Sequence, residues 1–293
     1  MNEKHRPANP DLSRARIQLL AAAVLWSLAG VFIKFLSLAA LTIVFYRSFF
    51  ASLFFAFFVG RSVALPRVPL LVSMASYTAA ISAFVCANKI TTAANAIVLQ
   101  YTAPIFVFVI VHFLFREKIA GANWFGLVFG MLGVAVICAG SAGQPDAGGV
   151  GIALLSGLLF SIYMVSLRFL KTVNPGTLTF LNNLACCLIL LPFVRSELAL
   201  SFDEGCIVAV MGIVQLGIPY WLFSKGLEKI PLLEASPLVL IEPVLNPIWV
   251  ALAVGEVPSP ATLIGGGLIV ASLAFRHLWQ LFNGKTITRD ARG

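Results

Sequence analysis

Charge is scarce in this chain. Only 11% of its 293 residues are charged, with 12 acidic side chains and 3 histidines, where an ordinary soluble domain carries about 25% charged residues. The acidic residues are scattered, so the clustered carboxylates with which integral-membrane enzymes hold metal and diphosphate are missing. No Gly-x-x-x-x-Gly-Lys-Ser/Thr loop is present, which removes the machinery for direct use of ATP. The five cysteines, Cys86, Cys138, Cys186, Cys187 and Cys206, form no Cys-x-x-Cys pair, and no histidine stands at ligand spacing. They are expected to be small apolar packing residues, with no metal and no other cofactor.

Apolar residues fill the chain instead. It is 60% hydrophobic, with a mean hydropathy of +0.97. A hydrocarbon layer roughly 30 Å thick takes about 20 apolar residues per helix. Ten such spans are predicted, at roughly 17–36, 42–60, 69–88, 93–115, 122–141, 149–170, 175–194, 204–225, 232–254 and 260–280. Little chain is left over, and none long enough for a soluble catalytic domain. Turn and helix-start residues mark the connectors, as in Leu65-Pro66-Arg67, Asn174-Pro175-Gly176 and Pro258-Ser259-Pro260. The polar, basic residues 1–16 are read as a cytoplasmic tail, because the apolar run that follows is too long for a signal-peptide core. Residues 281–293 are read as a second tail.

The net charge of +8 follows topology. If both ends are cytoplasmic, only Lys34, Lys89 and Arg195 of the 20 Lys and Arg fall on the outside, with Arg47 inside a span. The basic residues are therefore expected to meet anionic lipid, with no nucleic-acid partner.

The chain also repeats itself. Trp26-Ser27 and Phe160-Ser161 stand equally far before Lys34 and Arg168, and each base is followed by Phe-Leu. Pro104 stands as far before Glu117 as Pro243 stands before Glu256, and Ala96–Pro104 overlays Ala235–Pro243. A duplicated unit with an odd number of spans must insert its second copy upside down. The expected fold is therefore an all-α integral membrane protein of ten transmembrane helices in two inverted five-helix repeats, 17–141 and 149–280. Such pairs move solutes by alternating access.

With ten spans, a five-plus-five repeat and a Pro-then-Glu signature at the end of each fourth span, the chain resembles the drug/metabolite transporter superfamily. More narrowly, it resembles ten-span exporters with paired EamA-type domains. Its general likeness is greatest to the bacterial aromatic amino acid exporters. The resemblance implies a multi-pass protein of the bacterial inner membrane that carries a small-molecule solute, such as an amino acid. It also implies a central cavity lined mainly by spans one, three, four, six, eight and nine.

Several residues carry mechanistic expectations. Pro104 and Pro243 cannot donate to the carbonyls of Gln100 and Val239, and Pro237 and Pro247 add further breaks to span nine. A freed carbonyl at mid-membrane needs a partner. These prolines are expected hinges, with a static kink as the plainer alternative. Glu242 is an acidic residue at mid-span, where a charge costs roughly 2.5–3.5 kcal/mol. It is read as a proton-coupling carboxyl or a site for a solute amine, against a structural hydrogen bond; Asn246 shares its face. Arg47 is expected to snorkel to the interface, the alternative being to attract a solute carboxylate. Lys34 and Arg168 are expected interface anchors, with gating as the lesser reading. Trp26, Ser27, Tyr77, Gln100, Tyr101, Tyr163 and Gln215 complete the expected solute site, because amphipathic aromatics suit a ring-bearing solute. Glycine-rich stretches in spans five and ten predict close packing, on each other or in a homodimer.

Overall fold

The computed structural model describes residues 10–61, 65–116, 121–230, 235 and 238–290. Among the described residues the chain is helical, with no strand. In chain order the α-helices are α1 (Pro10–Ser27), α2 (Ala29–Phe35), α3 (Ala40–Ala56), α4 (Arg67–Ile90), α5 (Ala93–Gln100), α6 (Ala103–Phe115) and α7 (Gly121–Ser141). There follow α8 (Ala147–Ser166), α9 (Pro175–Val194), α10 (Phe202–Val210), α11 (Ile218–Leu227), α12 (Glu242–Val254) and α13 (Pro260–Asp290). A π-helical segment, Met211–Gly217, joins α10 to α11.

Among the described residues, seven helical stretches are long and apolar enough to cross a membrane: Asp11–Phe35, Arg67–Ile90, Ala93–Phe115, Trp124–Ser141, Ala147–Phe169, Pro175–Val194 and Phe202–Leu227. Ala40–Ala56, Glu242–Val254 and Pro260–Phe275 are apolar but shorter. The first and last predicted spans depart from their expected bounds: helix α1 is described from Pro10 onward and helix α13 runs on to Asp290. The second predicted span also stops early: Phe57 and Phe58 close onto Phe54 and Phe55 as tight turns. Gly60 then exchanges hydrogen bonds with the Thr177 hydroxyl (3.0 and 2.9 Å), which ties this turn to the start of α9.

Two breaks fall where proline foretells them. Span four divides at Tyr101–Thr102, and Pro104 occupies the first turn of α6. Span nine divides at Leu240–Ile241, and Pro243 sits in the first turn of α12. There the missing proline N–H is harmless, since first-turn amides have no helical acceptor. Pro247 lies inside α12. Pro237 and Glu117 fall outside the described residues.

Helix packing comes in matched pairs. Helix α4 lies on α8 as α11 lies on α1, and α5 and α6 lie on α8 as α12 lies on α1 and α2. Two pairings, α3 with α9 and α7 with α13, are their own counterparts. The α7–α13 contact explains the glycine-rich stretches. A methyl group added at Gly133 would stand 2.4 Å from the Gly265 carbonyl, and one at Gly265 would stand 2.5 Å from the Gly133 carbonyl. The glycines are therefore spent on a contact within the chain. The expected homodimer loses that small-residue face, and Trp124, Val128 and Leu263 are exposed on other faces of the pair.

One end of the bundle is knitted by polar bonds. Lys34 pairs with Glu256 at 2.6 Å and donates to the Thr91 carbonyl at 2.9 Å. The Ala93 amide donates to Glu256 at 2.7 Å. Thr91 donates to Asp146, and Thr42 donates to Glu197, each at 2.8 Å. Lys89 donates to the Leu36 carbonyl. Lys34 is thus a tie between α2 and the start of α5 and the α12–α13 loop, beyond the interface anchor its position suggests.

Candidate functional site

The freed carbonyl of span nine has found its partner. Pro243 leaves the Val239 oxygen without its helical donor, and the Tyr101 hydroxyl stands 3.2 Å from that oxygen. The same hydroxyl donates to Glu242 at 2.8 Å. Tyr101 is itself the residue at the break in span four. The two broken helices therefore meet through one phenol, and the carboxylate sits at the junction. A hydroxyl has one proton, so it serves the two acceptors unequally. The shorter contact to Glu242 takes precedence while that carboxylate is ionised.

An aromatic wall stands beside this junction. The Trp26 indole meets the Tyr220 ring edge-on at 5.0 Å and the Phe223 ring at 5.4 Å. Each such pair contributes about 0.5–1.5 kcal/mol beyond area burial. Trp26, Tyr101, Tyr220 and Glu242 are only partly buried.

Beneath the wall the α1–α2 break is held by polar side chains. Ser27 donates to the Val24 carbonyl at 2.6 Å and accepts from the Trp249 indole at 3.0 Å. Asn246 donates to the Ser27 carbonyl at 2.9 Å, and Gln215 donates to the Trp26 carbonyl at 3.2 Å. Each amide spends one end on the break and leaves the other idle. Gln215 Oε1, Asn246 Oδ1 and Trp26 Nε1 are all buried without a hydrogen-bond partner.

Tyr77 and Tyr163 form a second layer. Their rings are 5.3 Å apart, and Tyr77 donates to Asn183 at 3.2 Å. Both rings are buried, so they read as packing behind the wall, in contact with α9. Gln100 donates to Ser156 at 2.9 Å, and Ser156 donates to the Ala80 carbonyl at 3.0 Å. This couples span four to α8 and α4.

Arg47 is the main correction. It is 4% exposed, held among other helices and not free at the surface of the bundle as a snorkelling side chain would be. Its carbonyl and the start of the next turn take the π segment, where a methyl group on Gly212 would stand 2.6 Å from the Arg47 oxygen. Its charge acts on Tyr77, Tyr220 and Glu242. Tyr220 also interacts with Tyr101 and Tyr163. Arg47, Tyr77, Tyr101, Tyr163, Tyr220 and Glu242 therefore converge on one region.

Tyr220, Phe223 and Trp249 lie outside the residue set expected from sequence, and Arg47 entered it only through the alternative of attracting a solute carboxylate. The inward face of α3 was the available signal: Ile43, Arg47, Ala51 and Phe55 are all buried at helical spacing. Elsewhere, a shallow cleft of about 330 Å³ opens between Leu41, Thr78, Ser82 and Phe193, but its lining holds no charge. The cysteines are free, and no metal-ligating cluster occurs among the described residues.

Known proteins agree with this architecture. A solved crystal structure is similar over 91% of this chain and 98% of its own, with a TM-score of 0.64 and 21% identity, which speaks to the fold alone. An uncharacterized transporter of Archaeoglobus fulgidus is 27% identical over 257 residues, covering 87% of this chain and 93% of that protein. The uncharacterized transporter YxxF of Bacillus subtilis is 25% identical over 276 residues, 89% of each chain. The EamA-like transporter family matches residues 14–139 and again 147–276. The chain is a multi-pass membrane transporter and belongs to the EamA-like transporter family.

Proposed function

We propose that this protein is a secondary transporter that exports small amphipathic metabolites, aromatic amino acids foremost. It works by alternating access through a cavity between two inverted five-helix repeats, 17–141 and 149–280, in a bacterial inner membrane with both termini cytoplasmic. The observation that carries this reading is the junction of Tyr101 and Glu242 at 2.8 Å, beside the Trp26–Tyr220–Phe223 wall. A carboxylate beside a cluster of edge-on and tilted rings offers an amino group and a ring their separate partners. The double family match and the matched helix pairings support the repeat. The polar ties at the Lys34 end support a state closed on that side.

The same junction supplies a route for proton coupling. While Glu242 is ionised, it accepts from Tyr101. Once protonated, its hydroxyl donates to the Tyr101 oxygen, and Tyr101 turns its own proton to the Val239 carbonyl. The groups facing Glu242 are Tyr101 of span four, Arg47 of α3 and Tyr220 of α11. One proton would thereby alter the tie between the two broken helices. Pro104, Pro243 and Pro247 are the hinges on which they move, with Pro237 proposed from sequence alone.

The test is flux in proteoliposomes of purified protein. Labelled tryptophan or phenylalanine is compared with threonine, alanine and a cationic dye, with and without an imposed proton gradient. Saturable flux favouring the aromatic amino acids supports the narrow reading, and acceleration by the gradient supports coupling. Flux of the dye or the small amino acids alone rejects the aromatic substrate and favours a broader amino-acid or drug exporter.

A further inference from the structure

Arg47 poses an energetic problem that the fold alone does not solve. Its charge is permanent, because a guanidinium does not lose its proton at any relevant pH. Placing that charge inside an apolar bundle is expensive, and such residues pair with something or mark a solute path. Yet Arg47 Nε is buried with no hydrogen-bond partner. Among the described residues no carboxylate lies within the 4.0 Å of an ion pair with it.

Glu242 is the nearest answer in kind, but it is engaged elsewhere. It accepts from Tyr101 at 2.8 Å, and it feels the Arg47 charge without touching it. Opposite charges in a low-dielectric space attract strongly. Two that remain apart give this part of the bundle a positive and a negative pole. Buried polar atoms on the neighbouring helices repeat the pattern. Trp26 Nε1 is an idle donor, while Gln215 Oε1 and Asn246 Oδ1 are idle acceptors. Exchanging the ends of either amide still leaves one polar atom idle.

We infer that Arg47 is the docking point for a carboxylate on the transported solute, which lodges between Arg47 and Glu242 with its amino group toward Glu242. The guanidinium fork matches a carboxylate in shape and charge. One cation and one anion make the site neutral, which suits a zwitterion better than a phosphate or a simple amine. An α-amino acid supplies the two poles, and the Trp26–Tyr220–Phe223 wall takes its side chain. This rests on the reading above that solute crosses between these spans, and it adds the carboxylate as a requirement.

The experiment measures binding to purified full-length protein in detergent by calorimetry, with matched probes. Tryptophan is compared with tryptophanamide, tryptamine and indole-3-propionic acid, and threonine with threoninamide. The wild type should prefer each carboxylate over its amide by roughly 10- to 100-fold, the worth of one charged hydrogen-bonded contact. Arg47→Gln should abolish that preference, and Arg47→Lys should retain part of it. Equal binding of acid and amide, preference for the amide or amine, or a carboxylate preference that survives in Arg47→Gln would overturn the inference. So would failure of every probe to bind. The wild-type comparison stands even if Arg47→Gln does not fold. If threonine binds in an Arg47-dependent way and tryptophan does not, the aromatic substrate fails and the carboxylate inference holds.

Discussion

The Tyr101 hydroxyl is the smallest group on which the proposed mechanism depends, so its removal is the sharpest test. Tyr101→Phe keeps the ring and deletes two contacts, 2.8 Å to Glu242 and 3.2 Å to the Val239 carbonyl. A hydrogen bond to a charged group is worth about 1.5–3 kcal/mol net. For a domain of about 150–250 residues, each kcal/mol shifts the melting point by about 2–4 °C, so Tm should fall by roughly 3–12 °C. Glu242→Gln should cost less, because the amide oxygen still accepts from the phenol. The decisive quantity is the interaction between the two changes. If Tyr101 and Glu242 act on one another, the double variant should be more stable than the sum of the singles allows, by at least about 1 kcal/mol. The assay is thermal unfolding of the four proteins in one detergent. Additive losses would show that the phenol and carboxylate are independent, and the relay would fall with them.

The other predictions concern separate parts of the molecule. Trp26→Ala removes both aromatic contacts of the wall and should raise the KM for tryptophan about tenfold or more while sparing alanine; unchanged KM for both would take Trp26 out of the solute path. Glu256→Gln breaks the 2.6 Å pair with Lys34. It should lower stability by about 1–3 kcal/mol, less in high salt because the pair is partly exposed, and a wild-type Tm in low salt would refute the tie. Gly265→Ala puts a methyl group 2.5 Å from the Gly133 carbonyl and should cost about 1–3 kcal/mol in a thermal melt. A neutral or stabilising outcome would mean the α7–α13 contact is looser than described.

How legible was this in the sequence? Helices follow from apolar length, and two breaks follow from Pro104 and Pro243, because proline states its backbone cost locally. The π segment at Met211–Gly217 has no such token. It arises where Gly212 and Gly217 let α3 approach, and nothing in residues 211–217 alone names that neighbour. Helix length beyond the apolar runs is not legible, because polarity marks the end of a span and not the end of a helix. Residues 10–16 and 281–290 continue the helices, since backbone hydrogen bonding does not require an apolar side chain. Arg47 was misplaced for a different reason. Its closeness to the start of α3 suggested snorkelling, but the faces of that helix argue otherwise. Phe49, Leu53 and Phe57 are 40%, 48% and 88% exposed, while Ser48, Ala51 and Ser52 are buried beside Arg47. Bulk on one side and small residues on the other mark the inward face, and position along the helix is a weaker guide than position around it. That Gln215 and Asn246 would each leave one polar end idle could not be read from sequence, because it depends on which helices the breaks bring together.

The two self-matched pairings have a mechanical consequence. Helices α3 and α9 meet through the Gly60–Thr177 exchange, and α7 and α13 meet backbone to backbone at Gly133 and Gly265. Each joins a helix of the first family match to one of the second. Two points fixed between two bodies define an axle. Sliding or separation must break at least one of them, whereas rotation about the line through both leaves each nearly in place. Such a rotation spreads the halves on one side of the line and presses them together on the other. In the proposed cycle these two contacts lie on the turning line, and the α4–α8 and α1–α11 contacts away from it are the ones that must change.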